Sequence, residues 1–279
     1  MLGLLPWLVT GARLPLQSIW ESPVPPEAMP IALLPLSQYD LVLSMAMVVI
    51  GAALAGLAVR IAATRGTALP PWWTWSGAAI VQVGALTQAA SALSSGIEDS
   101  TRSRIYQLGM VAAVLVAVAI GLAVMMGVGR ARPGGVAIAG TVAAIAFGQW
   151  LSALAAAVSA GTAMPIIALR ASTWLPVLIV GVLVGWSGAG TVRRAAASAA
   201  SLLALWIAPA AITAVMYALG SRVYLQSPQE LWPAGREVFV MALGSDGGAP
   251  QRLLVAAAVA VVVGAGLRTA RRRVAAASA

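Results

Sequence analysis

The chain has 279 residues, 61% hydrophobic and 9% charged, with a net charge of +9 that comes from 17 arginines and no lysine against eight acids. Soluble domains are about a quarter charged, so an ordinary soluble fold is excluded. There is no Cys and no His, which removes disulfides, thiolate nucleophiles and imidazole ligation of haem, zinc or copper. Without Lys there is no P-loop and no retinal Schiff base, and no cofactor or metal is expected.

Residues 1–40 come first. "MLGLLPWLVTGARLP" has no basic residue before its apolar run, Pro6 interrupts that run, and no small-residue cleavage site follows. A retained segment at the outer membrane surface is expected, with polyproline II character in "ESPVPPEAMP".

Seven apolar stretches follow, at about 41–59, 74–97, 105–128, 136–160, 173–192, 195–219 and 253–267. A crossing needs about 20 mostly apolar residues. Continuous runs of this length do not alternate as barrel strands do, so helix is the predicted form. The fold class is therefore an all-α polytopic membrane protein of seven transmembrane helices. Residues 41–219 form a core of three hairpins, and residues 253–279 supply the last helix and a basic tail.

The arginines give direction. Spans one, three, five and seven end at Arg60 and Arg65, at Arg130 and Arg132, at Arg193 and Arg194, and at Arg268, Arg271, Arg272 and Arg273. Those ends carry ten arginines and no acid; the other ends carry seven arginines and every acid. The arginine-dense side is expected in the cytoplasm, with the N-terminus outside, the C-terminus inside and short inner loops. This layout resembles that of the rhodopsins in architecture only. The basic excess caps helices and forms no single face, so the partner it implies is the bilayer and not nucleic acid.

Residues 220–252 form an outer loop. Within it Ser227 as N-cap, Pro228 in the first turn and Glu230 three residues after the cap predict an interfacial helix that Pro233 breaks or kinks. The arginine turns near 60–65, 130–132 and 193–194 recur at about 65 residues, which suggests related two-helix units.

Residues able to carry chemistry are few. No predicted span holds an acid or an arginine near its centre. Gln88, Ser91 and Gln149, together with the Leu205 carbonyl that Pro209 would free, form a candidate mid-membrane patch for a neutral or lipid-like ligand; interhelical hydrogen bonding accounts for the same residues. Glu98 and Asp99, near Arg102 and Arg104, are an outer acidic cluster whose simplest role is a solvated charge group. Gly181 and Gly185 are spaced for close helix packing within the bundle. The function expected is an integral subunit of a transport or cell-envelope complex in the plasma membrane, permease-like or accessory, with other membrane or cytoplasmic subunits as partners. The alternatives are a stand-alone small transporter and an outer-face enzyme acting on a lipid-linked substrate.

Overall fold

The computed structural model describes residues 2–14, 25–67, 70–159, 162–220 and 228–277. Nine α-helices lie among them: α1 (Leu5–Val9), α2 (Leu41–Thr64), α3 (Pro71–Ser94), α4 (Thr101–Arg130), α5 (Pro133–Ser159), α6 (Ile166–Ser187), α7 (Val192–Gly220), α8 (Pro228–Leu243) and α9 (Ala249–Ala277). No strand occurs among the described residues. Prolines open α3, α5 and α8, where a missing N–H costs nothing. Past the end of α2 the chain turns at Gly66, whose φ of +79° suits glycine.

Six of these helices, α2, α4, α5, α6, α7 and α9, are long and apolar enough to cross a membrane. The chain is a multi-pass membrane protein. The seventh expected crossing, α3, has the length, at 24 residues. It falls short in apolarity because Thr74, Ser76, Gln82, Thr87, Gln88 and Ser91 interrupt it.

Cα packing divides the chain into two compact units, Met1–Gly129 with Gln149–Arg170, and Arg130–Gly148 with Ala171–Ala279. The boundary falls inside α5 and α6 instead of between hairpins.

In the first unit α2 and α4 meet backbone to backbone. A Cβ at Gly56 would lie 2.5 Å from the Met125 carbonyl oxygen, and one at Gly129 would lie 3.1 Å from that of Gly56. The N-terminal segment is part of this core and is not a surface strap. Gly3, in a 3-10 turn at Leu2–Leu4, sits where a Cβ would strike the Met47 carbonyl and the Gly51 backbone of α2. The Trp150 indole N–H donates to the Gly3 carbonyl (2.8 Å). Gly51 is ten residues into α2, about 15 Å along its axis, so the turn reaches roughly half the hydrocarbon depth. The chain then returns past Trp7, whose indole donates to Ala32 O (2.7 Å), and Arg13 bridges to Ile31 in antiparallel fashion. Leu14, Ala32, Leu34 and Leu36 are buried. Of the stretch expected to be polyproline, Pro26–Ala28 is a 3-10 turn, and residues 21–24 lie outside the described residues.

In the second unit Ala144, Val177, Val180, Val184, Leu205 and Ala256 form the core cluster. Gly181 and Gly185 are used within the chain, as expected: their missing side chains admit Val259 and Ala260 of α9. α9 begins before the predicted span and runs unbroken through the basic tail to Ala277.

Candidate functional site

Of the predicted polar patch, Gln88 has partners outside the patch. Gln88 spends its whole amide on the N-terminal segment: Nε2 donates to Ile31 O (2.9 Å), and Oε1 accepts from Leu33 N–H (2.8 Å). Residues 12–14 pair with the other edge of the same strand-like piece, since Leu14 N–H donates to Pro30 O and Ala32 N–H to Ala12 O. Gln88 thus replaces a neighbouring strand. Ser91 is exposed one turn further along α3, and Gln149 is half-buried on α5. No described hydrogen bond links Gln88, Ser91 and Gln149. Pro209 belongs to the second unit, α7 continues through it, and its carbonyl accepts from Thr213 Oγ1 (2.9 Å).

Glu98 and Asp99, the expected acidic cluster, are exposed. Asp99 pairs with Arg104 at 2.9 Å, with side chains 84% and 73% exposed; such pairs contribute little. Glu237 is exposed as well. Among the described residues no group of three His, Cys, Asp or Glu is placed to hold a metal. Glu21, Arg222 and the expected N-cap Ser227 lie outside the described residues, as does the side chain of Glu230. Asp40 lies just before α2: burial raises its pKa above the ordinary 3.8, and a hydrogen bond with Ser37 opposes the rise.

The arginine ends gather within each unit. In the first, Arg60 Nε donates to Val128 O, so α2 and α4 end side by side, with Arg65 exposed; Arg130, where the second unit begins, is exposed as well. In the second, Gly134 of α5 lies against Ala197 and the backbone of Arg193 and Arg194 in α7. The hydroxyls of Ser187 and Ser198 are 3.3 Å apart, and Arg268 lines the same cleft as Gly188 and Ser198. Arg132 is exposed just before α5, and Arg271, Arg272 and Arg273 are exposed on α9.

The feature that sequence reasoning missed is an interruption between α8 and α9. The expected helix exists, and it continues through Pro233 without a break. It does not lie flat on the outer face. It runs antiparallel along α7: Gly235 is beside Ala214 and Ala218, and the Trp206 indole donates to Leu243 O at the other end (3.2 Å). Trp206 is fourteen residues before Gly220, about 21 Å down the axis of α7, and twelve beyond Arg194, about 18 Å up it. The end of α8 therefore stands midway along α7. α9 then runs back into the core, where Ala256, two turns in, packs in one cluster with Leu205.

Residues 244–248, Gly-Ser-Asp-Gly-Gly, form the turn between α8 and α9. Non-helical backbone there must be satisfied by protein or line a wet cavity. Met241 O takes the Gly244 N–H and Ser245 O the Gly248 N–H. Leu243 O takes Trp206, while Gly247 O (2.6 Å) and Gly248 O (3.2 Å) take the Arg252 guanidinium. Both glycines are required: a Cβ at Gly247 would collide with the Ala242 backbone, and Gly248 has φ +67°. With the backbone so occupied, the exposed groups at the tip are Ser245 and Asp246, whose side chains are 3.3 Å apart. A sequence signal existed in this glycine-rich break, which is flanked by one 16-residue helix too short to cross alone.

Compared with protein-family models, with curated proteins and with solved structures, the chain finds no match.

Proposed function

We propose that this protein is a permease-like subunit of a transport system in the plasma membrane, oriented with its arginine-rich helix ends in the cytoplasm. The observation that carries the reading is the α8–α9 interruption. Discontinuous helices that end at mid-membrane are the recurrent way transporters present polar groups to a solute, and charged groups at such depth are costly unless used. Here Asp246 is the exposed solute-facing group, and Arg252 is the positioning residue that neutralises the Gly247 and Gly248 carbonyls.

The test is a purification in mild detergent from native membranes, followed by reconstitution of whatever complex is recovered. A stoichiometric partner is expected. Solute flux should fall at least tenfold in Asp246→Asn while the complex stays intact. A solitary chain overturns the subunit reading, and undiminished flux in both Asp246→Asn and Arg252→Gln overturns the transport role of the break.

A further inference from the structure

Between α2 and α3 of the first unit lies a groove of about 570 Å³. Its α2 wall includes Gly51, Ala55 and Val59, and its α3 wall Gly77, Val81 and Ala85, each a set spaced by four residues on one helix face. Gly3, Leu4 and Leu34 line it at the mid-membrane end, where the N-terminal turn packs on α2. Gln82 ties the two walls, its Nε2 donating to Val48 O (3.1 Å).

The groove follows α2 from Met47 to Val59. That is twelve residues, about 18 Å, close to one leaflet of a hydrocarbon core about 30 Å thick. It ends at Trp73 and Thr74, the depth at which α2 reaches Arg60 and Arg65. Trp73 is 60% exposed and stacks on Trp72 with ring centroids 4.3 Å apart, as rings at the headgroup level do. Arg65 is exposed. The lining is thus apolar apart from Thr74 and Gln82 for one leaflet's length, roofed at the bilayer centre, and bordered by positive charge at the headgroup end.

We propose that this groove holds one acyl chain of an anionic phospholipid from the arginine-side leaflet, with the headgroup phosphate at Arg65. The chain enters sideways from the bilayer and stops at Leu4 and Leu34. This is independent of the α8–α9 interruption, which lies in the other unit.

Filling variants are available, because a Cβ at Gly77 or Gly51 meets nothing within 4 Å. Gly84, also open but absent from the groove lining, is the control. The full chain is reconstituted in vesicles of equal phosphatidylglycerol and phosphatidylcholine, extracted in mild detergent, and read by native mass spectrometry. Wild type and Gly84→Leu are expected to retain one phosphatidylglycerol. Gly77→Leu and Gly51→Leu should each lower that retention at least tenfold with unchanged melting temperature. Arg65→Gln should keep a bound lipid but reduce the preference for the anionic one about fivefold, the effect of a single arginine at an anionic surface. Millimolar inorganic phosphate should not displace the lipid. Full retention in both filling variants, equal retention of the two lipids by wild type, or displacement by phosphate overturns the proposal.

Discussion

α2 faces two long helices in the first unit and treats them oppositely. Toward α4 it offers Gly56, and the Met125 backbone occupies the place of the missing methyl. Toward α3 it offers Gly51, facing open space across from Gly77. The same residue type brings two backbones together on one face and keeps a cavity empty on the other. Glycine in a membrane helix is therefore no indicator of close packing until its neighbour is known.

The largest expected effect separates these faces. Gly56→Leu forces a side chain into main-chain atoms that no rotamer avoids, and should destabilise by at least about 3 kcal/mol, seen as loss of monodisperse protein in detergent. Gly77→Leu should change thermal stability by less than about 0.5 kcal/mol. Similar losses in both would erase the distinction between the seams. Next in size is Gln82→Leu. Gln82 Oε1 is buried without a partner, and such an acceptor costs about 1–3 kcal/mol, while the bond to Val48 contributes only about 0.6 kcal/mol. Thermal unfolding should therefore show Gln82→Leu stabilised by about 1 kcal/mol, and a drop would mean that the groove wall depends on that bond.

The smallest effect is at the head of α2. The Asp40 pKa is raised by burial, so the folded state favours the protonated acid. The associated stability is fully present below the ordinary 3.8 and is lost as pH rises through the raised value. Asp40→Asn should stabilise the protein at neutral pH and flatten its acid-side stability profile. An unchanged profile would show that solvent reaches the carboxylate.

The long helices, the arginine-marked ends and the internal use of Gly181 and Gly185 were legible because each rests on a local pattern: length, charge or spacing. The rest depended on partners distant in sequence. Gln88 reads as a mid-membrane amide, yet its partners are backbone groups at Ile31 and Leu33, more than fifty residues earlier. α1 has only five residues and contains Pro6, too little for a periodic signal, and it is held by Trp7 and Trp150 through carbonyls that any residue would supply. α8 carries Arg236 and Glu237 on its exposed side, the composition of a helix lying on a surface. What draws it down along α7 is a glycine at 235 and one indole at 206.

The continuity of α9 has a mechanical meaning. From Ala249 to Ala277 it is one rod of 29 residues, about 43 Å long, with Arg252 wrapped around its upper tip and four guanidiniums near its lower one. Any tug or tilt applied at Arg271–Arg273 arrives, undamped by a joint, at the Gly247–Gly248 pivot.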